Sequence, residues 1–177
     1  AYLVEEPMAA AIGARLPVQD AIGSLVVDIG GGTTEIAVIS LGGVVVARSL
    51  RVAGDKLNQA IVQFARDKFN LLIGERTAEE VKIKIGSAST LDEQLHAPAR
   101  GRDLITGLPK EIELTDSDIR EALEQPVRTI VENIKAVVEE VPPEIIADIM
   151  QRGIMLAGGG ALLRGRDSRI SFETKIP

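Results

Sequence analysis

Apolar residues recur along this chain with two different periods, and the switch between them marks out the elements. Leu25-Val26-Val27-Asp28-Ile29 is a short β-branched run bounded by turn formers, which predicts a buried strand. Gly30-Gly31-Gly32 turns the chain, and Thr34 to Ser40 alternates as a second strand with Ile36 and Val38 on one face. Leu41-Gly42-Gly43 supplies a hairpin turn into a third strand, Val44 to Leu50. Three strands joined by tight turns make an antiparallel meander. Ahead of it, Glu5, Glu6 and Pro7 open a helix to about Ala14, because Pro and acidic groups suit a first turn. Gly13 and Pro17 end it.

The period then lengthens. Gly54-Asp55 begins a helix with Leu57, Ile61, Phe64 and Phe69 at core-facing spacing, and a second helix is predicted over Thr77 to Ile85. From Ala88 to Arg102 the pattern is weak and polar, and the sole histidine, His96, reads there as a surface residue. Leu104-Ile105, the Gly107-Leu108-Pro109 turn and Lys110 to Leu114 predict a small hairpin. Thr115 to Asp118 starts a helix as a capping box, followed by a stripe of Ile119, Leu123, Val127, Ile130, Ile134, Val137 and Val138. Pro126 inside that stripe predicts a break, with Pro126 opening a second helix. Pro142-Pro143 precedes another helix, Glu144 to Gln151. Ile154 to Ala157 is a strand, and Gly158-Gly159-Gly160 leads into a last helix from Ala161. The order implies an α/β core lobe with a mixed sheet and flanking helices. It is discontinuous, 1–53 and 126–177, with residues 54–125 inserted as a smaller α+β subdomain.

Composition narrows the function. Apolar residues are 45% and charged residues 26% of 177, ordinary for an aliphatic-cored globular chain. No apolar run reaches the roughly 18–20 residues that cross a bilayer, and without cysteine there is neither a disulfide nor a thiolate metal site. A net charge of −6 with 2% aromatics argues against nucleic acid, which asks for clustered cations and stacking rings. The ends, Ala1-Tyr2-Leu3-Val4 and Phe172 to Pro177, read as cut, so a fragment is expected.

The candidate chemistry lies in two glycine turns, each at the end of a strand. Asp28-Ile29-Gly30-Gly31-Gly32-Thr33-Thr34 offers backbone amides that can approach an anion closely, two hydroxyl donors, and a carboxylate suited to Mg2+ through water. An ordinary glycine hairpin is the competing reading. Gly158-Gly159-Gly160-Ala161 brings glycines to a helix start, which favours an anion or a flat ligand; close strand–helix packing is the alternative there. Neither turn is a P-loop, since Gly-Lys-Ser/Thr is absent, and neither is a Rossmann fingerprint.

These residues resemble the actin, heat-shock chaperone and sugar-kinase superfamily, whose paired glycine turns grip ATP between two lobes. Within it, residues 5–13, 27–40 and 153–165, with Gly74-Glu75-Arg76-Thr77-Ala78 and Gly101 to Pro109, are similar to the bacterial actin-like cell-shape proteins almost letter for letter. The likeness covers nearly the whole chain and weakens after Arg164, where Arg166 to Phe172 is more polar than the family helix. The resemblance implies an actin-like (ribonuclease H-like) lobe that binds ATP or ADP with Mg2+. In it Gly30, Gly31, Gly32, Thr33 and Thr34 face the β- and γ-phosphates. Gly158, Gly159, Gly160 and Ala161 face adenosine, and Asp28 holds Mg2+ through water. It further assigns Glu6 and Thr33 to the attacking water. Glu79 and Lys82, one helical turn apart, go to adenine and ribose, with Glu80 an equally close candidate and Gly54-Asp55 on the ribose side. The first lobe, with its own phosphate turn, is absent, so the fragment is expected to bind ATP weakly, if at all, and to hydrolyse it negligibly. For the intact parent the resemblance implies self-assembly into protofilaments, work with the cell-wall elongation machinery, and a cytoplasmic location at the inner membrane. A chaperone-type ATPase shares the Glu-Pro and Asp-x-Gly-Gly-Gly-Thr signatures, but the insertion is short and no peptide-binding β domain or linker lies within the chain. A metabolic kinase would need a carboxylate base at a sugar pocket, for which there is no candidate.

Overall fold

The structure, a computed structural model, describes residues 3–177. Ala1 and Tyr2, half of the apolar start noted above, lie outside the described residues. In chain order the elements are α1 (Glu6–Gly13), β1 (Ser24–Ile29), β2 (Thr34–Ser40), β3 (Gly43–Leu50), α2 (Gly54–Phe69), β4 (Leu71–Leu72), α3 (Glu75–Ile85), β5 (His96–Asp103), β6 (Pro109–Thr115), α4 (Asp116–Glu140), α5 (Pro143–Arg152), β7 (Ile154–Ala157) and α6 (Arg166–Thr174). Two compact units result: Ala1–Gly54, Thr129–Leu162 and Asp167–Pro177 form the first, Asp55–Arg128 and Leu163–Arg166 the second.

The first unit is built on a four-stranded sheet in the order β3-β2-β1-β7. The meander is antiparallel, whereas β7 joins β1 in parallel, with Leu25 beside Ile154 and Asp28 beside Ala157. The Leu41-Gly42 loop takes left-handed φ at both positions, 53° and 72°, the two-residue turn whose twist matches that of the strands. On one sheet face, Ala11 and Val18 of the α1 region bury against Val26 and Ile39, with Met8, Leu16, Val44 and Met155 around them. Residues 129–140 of α4 belong to this unit, where Arg48 reaches Asn133 Oδ1 at 3.4 Å and Glu140 Oε1 at 2.6 Å. On α5, Asp148 accepts the Gly23 amide at 2.8 Å.

The second unit carries a three-stranded antiparallel sheet, β4-β5-β6. Here the weakly patterned segment 88–102 proves to be strand from His96 onward, where β5 starts, and Leu104-Ile105 is a turn rather than a hairpin arm. The strand alternates as expected of any half-buried strand, but its inward residues are Ala97 and Ala99, whose small side chains leave little apolar signal. Pro98 is tolerated because β4 pairs only with Arg102 and Asp103, leaving the backbone of Pro98 without a neighbour on that side. His96 is exposed, with Nδ1 3.4 Å from Glu113 Oε2. On α2, Leu57 and Ile61 are buried as expected, and Ala65 joins them. Phe64 and Phe69 are half-buried and meet edge to face at 6.1 Å.

Two helix expectations are also corrected. Pro126 lies inside one continuous helix, α4. An interior proline costs about 3 kcal/mol, but Ile119, Leu123, Val127, Ile130 and Ile134 all bury on one stripe, at about 1.5–3 kcal/mol each. Burial prevails. The capping box is formed as expected: Thr115 Oγ1 accepts the Asp118 amide at 3.2 Å and Asp118 Oδ2 accepts the Thr115 amide at 3.0 Å. After β7, however, no α-helix begins at Ala161. Gly158 and Gly165 both take left-handed φ, 79° and 68°, and between them only a single 3-10 turn fits, Gly159–Leu162. The last helix begins at Arg166.

Candidate functional site

Both glycine turns lie in the first unit and leave the sheet at the same end. β1 and β7 are parallel neighbours, and the register places Asp28 beside Ala157, so each strand runs out into its glycines on the same edge. The second turn touches the end of β1, from which the first turn leaves. A Cβ on Gly158 would stand 2.4 Å from the Ile29 carbonyl oxygen and 2.5 Å from Asp28 Oδ1, and one on Gly160 would stand 2.3 Å from Ile29 Cγ2. Glycine is required at 158 and 160 because the second turn lies directly on the end of β1.

The first turn is closed by its own backbone. The Gly30 amide donates to the Thr33 carbonyl at 3.0 Å, and the Gly30 carbonyl accepts the Gly54 amide at 3.0 Å. Thr34 is fully buried, and its hydroxyl donates to the Val52 carbonyl at 2.8 Å. Among the described residues, the amides of Gly31, Gly32 and Thr33 and the Thr33 hydroxyl have no acceptor in the protein. Gly31 and Gly32 are exposed and nothing crowds Gly32. Three successive free N–H groups in a tight turn make an anion nest. The resemblance assigns the whole run from Gly30 to Thr34 to the phosphates. The structure divides it, for Gly30 and Thr34 spend their donors on holding the turn.

Strand alternation puts Asp28 on the same face as Val26, the face that α1 covers. Glu6, the first residue of α1, is exposed on that helix, and the N-cap before it, Glu5, makes no capping bond with its side chain. No group of three potential metal ligands occurs among the described residues. Asp28 as the one carboxylate would suit Mg2+, which keeps several waters and takes its other ligands from phosphates. In the second turn, the Ala161 amide donates to the Gly158 carbonyl at 3.2 Å, closing the 3-10 turn. The α-helix dipole expected behind Gly158–Gly160 is therefore not there, and what this turn offers is backbone with open space at Gly159.

Glu79 and Lys82 lie on α3 in the second unit. Lys82 Nζ donates to Asn58 Oδ1 at 2.7 Å. Burial lowers the Lys82 ammonium below its ordinary range, while the neighbouring Glu79 carboxylate opposes that shift. Glu80 instead pairs with Arg76 at 3.0 Å on the exposed side of the helix, so of the two carboxylates Glu79 is the one coupled to Lys82. Asn58 escaped sequence reasoning. Its one signal was a polar residue next to Leu57 on the inward side of α2, where it is 7% exposed.

A β3-β2-β1-β7 sheet whose adjoining parallel strands end in two glycine turns is the lobe architecture of the actin-like proteins. A family model described as MreB/Mbl protein matches residues 1–177, and the chain belongs to this family. It is 52% identical over 176 residues to the cell shape-determining protein MreB of Escherichia coli K12, covering 99% of this chain and 51% of that protein. Against the cell shape-determining protein Mbl of Bacillus subtilis 168 the figures are 46% over 176 residues, 99% and 53%. Among solved structures, MreB5 of Spiroplasma citri bound to ADP superposes with a TM-score of 0.95 at 39% identity, covering 98% of this chain and 53% of that one. The MamK double helical filament matches with a TM-score of 0.78 at 25% identity, over 97% of this chain and 51% of that one. The chain thus spans about half the length of the curated relatives it matches.

Proposed function

We propose that this chain is the nucleotide-gripping half of an actin-like ATPase that assembles into filaments and maintains rod shape by organising cell-wall synthesis. The observation that carries the nucleotide reading is the nest of free amides at Gly31, Gly32 and Thr33, with a second glycine turn, open at Gly159, at the same end of the sheet. In this reading those amides take the terminal phosphate oxygens, Gly158 to Ala161 back the adenosine, and Asp28 holds Mg2+ through water. Glu79 and Lys82 serve adenine and ribose. Bound Mg2+ would offset charge on the phosphates. Glu6 and the Thr33 hydroxyl orient the attacking water, since phosphoryl transfer needs positioning and charge stabilisation more than covalent help. Residues 1–53 and 126–177 are read as the core lobe and 54–125 as its inserted subdomain. For the intact parent we propose protofilament self-assembly at the inner face of the cytoplasmic membrane. Among the described residues no helix is long and apolar enough to cross a membrane. The relatives that support this reading are named for cell shape, and one structural neighbour is bound to ADP.

The test is titration of the 15N-labelled chain with Mg-ATP. The expected result is millimolar-range binding that moves the Gly31, Gly32 and Thr33 amide signals first. Shifts confined to other parts of the chain, or none at saturating nucleotide, would remove the ATP reading.

A further inference from the structure

The free amides of the first turn are useful only if the turn keeps its shape, and glycine-rich backbone does not keep a shape unaided. Three bonds supply what the glycines lack. One closes the turn on itself, Gly30 N–H to the Thr33 carbonyl at 3.0 Å. The other two fasten its two ends to one segment, residues 52–54. The Gly54 amide donates to the Gly30 carbonyl at 3.0 Å, and the Thr34 hydroxyl donates to the Val52 carbonyl at 2.8 Å. Between those anchors Ala53 is fully buried, so the segment itself is fixed. It also lies close beneath the turn, for a Cβ on Gly54 would stand 3.3 Å from both the Gly30 carbonyl oxygen and the Gly31 Cα. α2 starts from this same segment, at Gly54.

We infer that Thr34 and Gly54 are positioning residues: they clamp the anion-binding turn Gly30–Thr33 to residues 52–54 and so hold its free amides convergent. Neither touches the ligand. The Thr34 hydroxyl has one proton and spends it on Val52; its remaining lone pairs repel phosphate oxygens rather than bind them. Thr34 therefore acts through the turn's geometry, whereas Thr33, next to it, faces the ligand. The role also explains a threonine at a fully buried strand position where valine would pack equally well: the hydroxyl satisfies a carbonyl at the end of the meander.

This inference rests on the nucleotide reading for its purpose but not for its test. In the nucleotide-free 177-residue chain, hydrogen exchange at the Gly30 and Gly54 amides should be slow while Gly31 and Gly32 exchange freely. Thr34→Val removes the donor and keeps the shape; exchange at Gly30 and Gly54 should rise about tenfold, the effect of one buried hydrogen bond, and Thr34→Ser should restore it. Mg-tripolyphosphate and Mg-ATP should each bind Thr34→Val about tenfold more weakly than the parent chain, again with rescue by serine, because the clamp sets the convergence of the amides. A valine variant with unchanged exchange and unchanged affinity overturns the clamp. Should the valine variant fail to fold, Gly54→Ala serves in its place and should displace the Gly31 and Thr33 amide signals; unmoved signals overturn the clamp equally. If the parent chain shows slow Gly30 and Gly54 exchange yet ignores both ligands, the ATP reading falls and the clamp stands. Gly30 or Gly54 exchanging as fast as Gly31 sinks the clamp whatever the ligands do.

Discussion

Glycines of similar appearance do different work at the residue scale. Gly158 takes a left-handed φ of 79° and lies against Ile29 and Asp28, so Gly158→Ala meets both backbone strain and overpacking. We expect it to lower stability by about 2–6 kcal/mol, the sum of those two penalties, measured by urea unfolding. Gly32 has open space where a Cβ would go. Gly32→Ala should leave stability within about 0.5 kcal/mol while weakening Mg-ATP binding severalfold, because the methyl group stands where a phosphate must approach. Equal losses of stability in the two variants would contradict this division. The triplets look alike in sequence, and the distinction was not legible there. Nor was the difference between Thr33 and Thr34, which depends on Val52, eighteen residues from Thr34 along the chain.

At the scale of elements, the β5–β6 loop shows how a short polar code holds an irregular segment. Asp103 Oδ1 accepts the amides of Ile105 and Thr106 at 2.8 and 2.9 Å, and Lys110 Nζ lies 3.0 Å from Asp103 Oδ2. The Thr106 amide, the Lys110 ammonium and the Ile105 amide together hold the Asp103 carboxyl down to about 2, from an ordinary 3.8. A carboxyl depressed in the folded state adds stability above its unfolded pKa and loses it as pH falls through the folded one. The contribution of Asp103 should therefore be intact above about pH 4 and fade between about pH 4 and 2. Melting temperatures across that window should fall less steeply for Asp103→Asn than for the parent chain, and identical slopes would contradict the assignment. This loop was expected as one arm of a hairpin because Leu104 and Ile105 are apolar. Both are exposed, and the local hydrogen bonds of Asp103 outweigh what their burial would have gained. Periodicity served better wherever large side chains carried it, as in α2, α3 and the α4 stripe. It failed at β5, where alanines carry the pattern, and at Pro126, where the stripe on either side continues through the proline.

For the molecule as a whole, the chain spans about half of the relatives it matches, and catalysis in the proposed reading needs water excluded from both sides of the triphosphate. This chain by itself should therefore release phosphate from Mg-ATP no faster than buffer does, even where nucleotide binding is measurable. A phosphate-release assay checks this, and turnover with micromolar affinity would contradict it. The family match covers residues 1–177, in keeping with motifs spread from Glu6 to Gly165.

What the sequence determined alone was local: where strands and helices lie when large apolar residues mark them, the capping box at Thr115, and the two glycine turns that disclose the family. These follow from interactions within a few residues, which the order of side chains specifies directly. Tertiary structure decided which donors remain free. The Thr34 hydroxyl is occupied only because residues 52–54 pack beside it, and Gly158 lies against Ile29 and Asp28 only because β7 runs parallel to β1. A backbone N–H or a hydroxyl proton can be spent only once, and its partner is chosen by folding.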